Sequence, residues 1–151
     1  IGGLYGTNNV VNYGVSKAGI VGLNNVAAIE GAPHGIKSNI ILPGAVTRMA
    51  EGLDISQYPP MGPELVAPVV AWLAHESCSI TGEMLISMAG RVARALIAET
   101  PGVYRPSWSI DDVANEIDRI RDTQELWLLP QASGYFDHMQ RSFAMARNQA
   151  G

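Results

Sequence analysis

The chain has 151 residues, a single cysteine and a formal net charge of −4, and 47% of its residues are hydrophobic. A chain of this length has enough material for a buried core. Its mildly acidic balance favours neither nucleic acid nor an anionic membrane surface as a partner. The lone cysteine, Cys78, excludes an internal disulfide and a cysteine metal cluster, and it suits a reducing cytoplasm. No apolar run is long enough to span a bilayer.

A long helix is predicted from about residue 10 to residue 29, after a glycine-rich start. Apolar side chains recur in it at helical spacing, namely Val11, Val15, Ala18, Val21, Leu23, Val26 and Ile29. Three glycines within this stretch weaken an isolated helix, so we expect close packing against other helices to hold it. The polar residues 7–9 are candidates for its N-cap.

Tyr13 and Lys17 stand four residues apart near the start of this helix, on one face and one turn from each other. A free phenol has a pKa of about 10, too high for ready proton exchange near neutral pH. A cation one turn away and the positive N-terminal end of a helix both favour the phenolate. The pair is therefore a candidate acid/base device for a proton on an alcohol or carbonyl oxygen. The alternative is a surface lysine beside a half-buried tyrosine.

A short apolar strand is predicted over residues 36–42, typical of the interior of a parallel sheet. Residues 43–47 then turn at what would be the carboxyl end of that strand, the edge at which open α/β sheets bind ligands. The alternative is an ordinary turn at the end of a strand. Residues 48–62 lack periodicity and are predicted as a loop.

The middle of the chain reads as a helix over residues 63–74, then a strand over 84–88 and an extra strand within 91–99. Pro68 lies inside the helix and should bend it or shift its start. His75 and Cys78 invite a nucleophile–base interpretation, but the simple end of a helix is the better one because no oxyanion donors are identifiable.

Two helices are predicted in the last third of the chain. Ser109 is expected to cap the first, with acidic residues in its first turn and Val113, Ile117 and Ile120 along one face. Its acidic side is better explained as a solvated surface than as a metal site, so no metal site is assigned. The second helix is predicted over residues 132–147.

The Tyr-x-x-x-Lys spacing, followed downstream by a strand and Pro43-Gly44, resembles the signature of the short-chain dehydrogenase/reductase family. The resemblance covers residues 1 to about 95. It implies an α/β fold, the C-terminal part of a doubly wound parallel-sheet Rossmann domain, with residues 96–151 as a mostly helical C-terminal extension. It also implies that the N-terminal half, with the phosphate loop for the cofactor, is missing here and that the chain alone is inactive.

The same resemblance implies an oxidoreductase that transfers a hydride between NAD or NADP and a secondary alcohol or ketone. Tyr13 would be the acid/base, and Lys17 would support it and bind the nicotinamide ribose, so both would contact the cofactor. Residues 48–62 would form a mobile lid over the substrate. The nicotinamide ring would be seated by Pro43, Gly44, Val46 and Thr47.

Residues 63–68, 75–78 and 89–90 are similar to one subgroup of the family, the dehydrogenase part of peroxisomal multifunctional enzyme type 2 and its bacterial relatives. That subgroup oxidises (3R)-hydroxyacyl-CoA thioesters and, in some cases, 17β-hydroxysteroids. We therefore expect such a substrate, a homo-oligomer in which the long helix packs against a partner subunit, and a cytoplasmic location. The alternative is a non-catalytic interaction fragment that is stable through its long helix and tail.

Overall fold

The computed structural model describes residues 1–52 and 54–148. The chain forms two compact units, Ile1–Ala95 and a second that begins at Leu96. The first unit is a small sheet with helices, and the described part of the second is mostly helical. Leu53, within the predicted loop, and residues 149–151 of the predicted extension lie outside the described residues.

The sheet of the first unit has three strands, β1 (Ile40–Gly44), β2 (Met84–Met88) and β3 (Arg91–Ala95). They lie in the order β1-β2-β3, with β1 parallel to β2 and β2 antiparallel to β3. The predicted α/β class with a parallel strand pair is confirmed. The predicted strands at 84–88 and within 91–99 are also confirmed, the latter only as far as Ala95.

The start of β1 differs from the prediction, which placed it at residue 36. Residues 38 and 39 instead bond to the loop that leads into β2: the Gly82 N–H donates to the Ser38 carbonyl at 2.7 Å, and Asn39 Nδ2 donates to the Ile80 carbonyl at 2.9 Å. These bonds replace a strand ladder, which begins where the Ile40 N–H donates to the Glu83 carbonyl.

The end of β1 also differs, because Pro43 and Gly44 belong to the strand rather than to the turn after it. Pro43 pairs with Ser87, and Gly44 pairs with Met88. Proline lacks the N–H that a central strand would need, but β1 is an edge strand of the described sheet. The predicted turn therefore begins two residues later.

The longest helix is α1 (Val11–Gly31), which confirms the predicted helix. None of residues 7–9 caps it, because Val10 is the N-cap residue and its side chain makes no capping hydrogen bond. Asn9 has a φ of 63°, a left-handed conformation that asparagine tolerates. Val21 of this helix packs with Leu4 and Ile86 on a small core. That core comprises Ile40, Leu42, Met84 and Ala95.

Only one of the two apolar faces of α1 is buried. The buried residues of the helix are Asn24, Ala28 and Gly31. The side chains that mark the opposite face are half or more exposed; they are Val11, Val15, Val26 and Ile29. The apolar periodicity thus predicts the helix correctly, but it does not distinguish the face that packs on the sheet from the face that meets solvent.

The segment between β1 and β2 contains a short 3₁₀ turn, Pro63–Leu65, followed by α2 (Ala67–Leu73). Pro68 lies in the first turn of α2, where its missing N–H has no cost. The predicted shift of the helix start is confirmed. The buried Ser87 hydroxyl of β2 donates to the Leu65 carbonyl at 3.1 Å and so fixes this turn to the sheet.

The second unit contains α3 (Ile110–Ile120) and α4 (Tyr135–Asn148). Ser109 caps α3 as predicted, and the Asp112 side chain accepts from the Ser109 N–H in return, which completes a capping box. The start of α4 is three residues later than predicted, because the Gly134 N–H closes a turn on the Pro130 carbonyl at 2.6 Å. Among the described helices, none has the length and apolar character that a bilayer crossing requires.

Candidate active site

Tyr13 lies in the first turn of α1, and Lys17 lies one turn further along the same face. The Lys17 ammonium group is 5.4 Å from the centroid of the Tyr13 ring. Tyr13 is 51% exposed. The structure therefore brings together a phenol and a cation in the first two turns of one helix.

These two residues line a pocket of about 140 Å³ between the start of α1 and the exposed edge of β1. Pro43 lines the same pocket, so three of the residues that the sequence predicts for the site lie around one cavity. The remaining lining is mostly aliphatic and comes from the first loop, α1 and β1: Ile1, Gly3, Leu4, Ile20, Val21, Ile40, Ile41 and Leu42. Such a lining suits an apolar ring next to one polar, proton-exchanging group.

The other three predicted residues lie along the chain beyond this pocket and do not line it. Gly44 is the last residue of β1 and packs closely against Met88. The Val46 N–H donates to the Met61 carbonyl at 2.7 Å. The Thr47 hydroxyl oxygen accepts from the Met49 N–H at 3.3 Å and caps a 3₁₀ turn, Arg48–Ala50.

A second, wider groove of about 400 Å³ continues along the same edge of β1. Asn24, which sequence reasoning did not single out, lines it together with Lys17. The Ser38 hydroxyl donates to Asn24 Oδ1 at 2.8 Å, whereas Asn24 Nδ2 is buried and has no hydrogen-bond partner among the described residues. Its spacing from Tyr13 and Lys17 places it on the same helical face, which is the sequence signal that could have identified it.

The alternative site at His75 and Cys78 does not assemble. His75 Nδ1 lies 2.9 Å from the Ser77 hydroxyl, and the Cys78 side chain is buried with its thiol directed at the Ile80 carbonyl. In the part of the chain that the structure describes, no group of three His, Cys, Asp or Glu side chains is arranged to hold a metal ion.

A family model described as enoyl-(acyl carrier protein) reductase matches residues 1–91. That region contains the Tyr13–Lys17 pair and the parallel strands β1 and β2. The chain belongs to the short-chain dehydrogenase/reductase family. The predicted family is thereby confirmed.

Several relatives with named activities are similar to this chain. Peroxisomal multifunctional enzyme type 2 of Drosophila melanogaster is 37% identical over 142 residues, which is 87% of this chain and 24% of that protein. The human (3R)-3-hydroxyacyl-CoA dehydrogenase is 43% identical over 92 residues, or 53% of this chain and 35% of that protein. Estradiol 17-beta-dehydrogenase 8 of Callithrix jacchus is 43% identical over 92 residues, or 53% of this chain and 69% of that protein.

The solved structure of the full-length Drosophila enzyme matches the fold with a TM-score of 0.77 at 29% identity, over 98% of this chain and 27% of that one. The predicted resemblance to this subgroup is therefore confirmed. This chain spans about a quarter of the length of the Drosophila protein and about a third of the human one. The dehydrogenase relatives support an oxidoreductase.

Proposed function

We propose that this chain carries the proton-transfer part of a dehydrogenase active site that interconverts a secondary alcohol and a ketone. The observation that carries the proposal is that the Lys17 ammonium group and the Tyr13 ring lie close together and line one mostly apolar pocket. In the oxidative direction the Tyr13 oxygen takes the proton from the substrate hydroxyl, and in the reductive direction it returns the proton to the carbonyl oxygen. Lys17 holds a positive charge 5.4 Å from the centroid of the Tyr13 ring while the proton is exchanged.

The cofactor that this family implies is NAD or NADP, which would accept the hydride from the carbinol carbon when bound. The residues present fit such a molecule: the pocket wall is aliphatic, and Lys17 is a cation that can donate to ribose hydroxyls. We propose that Tyr13 and Lys17 bind the ribose. The nicotinamide ring would then be seated by Pro43, Gly44, Val46 and Thr47.

The bond between the Val46 N–H and the Met61 carbonyl bears directly on this seat. While that bond is formed, the Val46 N–H is not free to donate to a carboxamide. We propose that the segment around Met61 moves when the cofactor binds, which fits a mobile lid over residues 48–62.

The proposed substrate is a 3-hydroxyacyl-CoA thioester or a 17β-hydroxysteroid. The named activities of the human and Callithrix relatives support these two classes. The cytoplasmic location stays a prediction, and several relatives are named as peroxisomal enzymes. We further propose that residues 1–95 form the Rossmann part and residues 96–151 an extension, in keeping with the two compact units.

The open edge of β1 supports the proposal that another segment of the same protein completes the sheet. In the described sheet β1 is an edge strand with an open groove beside it. Among the described residues, the buried Asn24 Nδ2 in that groove has no acceptor. A strand paired with β1 would satisfy the ladder and offer carbonyl groups to that amide. We propose that residues 1–151 alone are inactive until this edge is covered. The exposed apolar face of α1 likewise supports a homo-oligomer.

The experiment that tests the proposed function is Tyr13→Phe in the active enzyme that contains these residues. We expect kcat to fall by about 10²- to 10⁴-fold with cofactor affinity nearly unchanged, because the substitution removes the proton-exchanging oxygen and little volume. Lys17→Ala should impair both. Tyr5→Phe is the matched control, since Tyr5 is an exposed tyrosine of the preceding loop. Near-normal turnover by Tyr13→Phe would refute the acid/base role.

The substrate class is tested by a screen of 3-hydroxyacyl-CoA thioesters, 17β-hydroxysteroids, sugars and polyols with the same enzyme. We expect one of the first two classes to give the highest kcat/KM. A higher value for polyols would contradict the proposed substrate and leave the Tyr13 test unaffected.

A further inference from the structure

The loop before α1 lies directly against the backbone of the helix at Lys17. A Cβ atom built on Gly3 would lie 2.7 Å from the carbonyl carbon of Lys17 and 2.8 Å from both the Ala18 nitrogen and Lys17 Cβ. Side-chain Cβ atoms essentially never come within 3.0 Å of such neighbours. Two of the three atoms belong to the helix backbone, so they cannot move aside unless α1 moves.

The neighbouring Gly2 lies close to Tyr13, the other member of the pair. A Cβ on Gly2 would lie 3.1 Å from Cε1 of the Tyr13 ring. Gly6, in the same loop, has no atom of another described residue within 4 Å of its Cβ position, its two chain neighbours apart. None of the three has a left-handed φ angle, so alanine can adopt the local backbone conformation at each position. The three sites therefore differ in the contact that a methyl group would make.

We propose that Gly2 and Gly3 are positioning residues for the acid/base pair. Because these two residues have no side chains, the loop packs directly against α1. The Gly3 contact fixes the position of the helix backbone at Lys17, and the Gly2 contact fixes the position of the Tyr13 ring edge. This inference rests on the proposed function of Tyr13 and Lys17. It assigns to the glycine pair a role beyond permitting the loop to turn.

The size of the expected effect follows from the displacement that each methyl group requires. Moving the Gly3 contact from 2.7 Å to an ordinary contact of 3.4 Å shifts the loop and helix apart by more than half an ångström. A misplacement of about 1 Å costs roughly 10²-fold in rate, so we expect Gly3→Ala to lower kcat by about 10- to 100-fold. The Gly2 contact needs only a few tenths of an ångström, and we expect a loss of about 3- to 10-fold.

The test compares Gly2→Ala and Gly3→Ala with the matched control Gly6→Ala in the active enzyme. Gly3→Ala should raise the KM for the cofactor as well as lower kcat, because it displaces Lys17. Gly2→Ala should lower kcat, shift its pH profile and leave the cofactor KM unchanged. An activity-independent readout is the Tyr13 ring signal in NMR spectra of ¹³C-tyrosine-labelled enzyme, assigned by its loss in Tyr13→Phe. That signal should shift in Gly2→Ala and stay in place in Gly6→Ala.

The inference is overturned if Gly2→Ala and Gly3→Ala match Gly6→Ala in kcat and in the NMR signal. It is also overturned if the three variants lose activity only in proportion to their melting temperatures, since the effect would then be general destabilisation. Should Gly3→Ala fail to fold, the milder Gly2→Ala decides by the same criteria. If Tyr13→Phe retains turnover while Gly2→Ala still moves the Tyr13 signal, the proposed function fails and the packing part of the inference stands.

Discussion

Replacing Val26 with glutamate tests whether the exposed face of α1 forms an interface between copies of this protein. The Val26 side chain is 53% exposed and lies on the same face as Val11, Val15 and Ile29. In a two-fold symmetric dimer, one substitution appears twice in the interface. A matched control is Ile110→Glu, at an 88% exposed position of the second unit.

The expected magnitude follows from the exposed fraction of the Val26 side chain. Covering the exposed half of a valine contributes about 1 kcal/mol per copy, which the substitution removes. Burying each unpaired carboxylate adds several kcal/mol. Together these effects weaken a dimer by at least about 4 kcal/mol, or roughly 10³-fold in Kd. Within one chain the side chain is exposed, so we expect the free energy of unfolding to change by less than about 0.5 kcal/mol.

The assay is the molar mass in sedimentation equilibrium over a wide range of concentration, with urea unfolding of each variant alongside. We expect the wild-type enzyme to associate, Val26→Glu to dissociate, and Ile110→Glu to behave as wild type. An unchanged association curve for Val26→Glu would place the interface elsewhere. A wild-type enzyme that is monomeric at every concentration would refute the homo-oligomer itself.

Two further predictions concern the stability of each unit. Ala89 and Gly90 join β2 to β3 with φ angles of 50° and 77°. Asparagine tolerates such a positive φ better than alanine does, so Ala89→Asn should raise the free energy of unfolding by about 1 kcal/mol. A lower urea midpoint would contradict this. In the second unit, hydrogen bonds from Ser109 lower the pKa of the Asp112 carboxyl, and a hydrogen bond from Arg105 lowers that of Glu116. A carboxyl group whose pKa is lowered by folding stabilises the folded state at pH values above its unfolded pKa. The melting temperature should therefore fall as the pH drops below about 4. Arg105→Gln should make that fall smaller, because it removes the hydrogen bond to Glu116.

The elements with strong local signals could be predicted from sequence. The strand at 84–88 is correct at both ends because a glycine precedes it and a two-residue turn follows it. Ser109 and Asp112 cap α3 through contacts three residues apart, which the local pattern contains. The pairing of Tyr13 with Lys17 is equally local, since one turn of helix brings them together.

The features that sequence reasoning missed depend on contacts between distant segments. β1 begins at Ile40 because residues 38 and 39 bond to a loop more than 40 positions away. No periodicity within residues 36–42 contains that information. The close approach of Gly3 to Lys17 likewise depends on the path of the first loop across α1, and the burial of Asn24 depends on the groove beside β1.

The pocket and the groove beside β1 share walls, and this connects assembly with chemistry. Lys17 and Pro43 line both of them. Any segment that pairs with the open edge of β1 would therefore also form a wall next to Tyr13, Lys17 and the proposed cofactor seat. Among the described residues the core cluster at β1 has four buried side chains, so such a segment would bury further apolar surface there. Covering this edge and completing the site are then one event, so we expect cofactor binding and cooperative unfolding to appear together when the edge is covered.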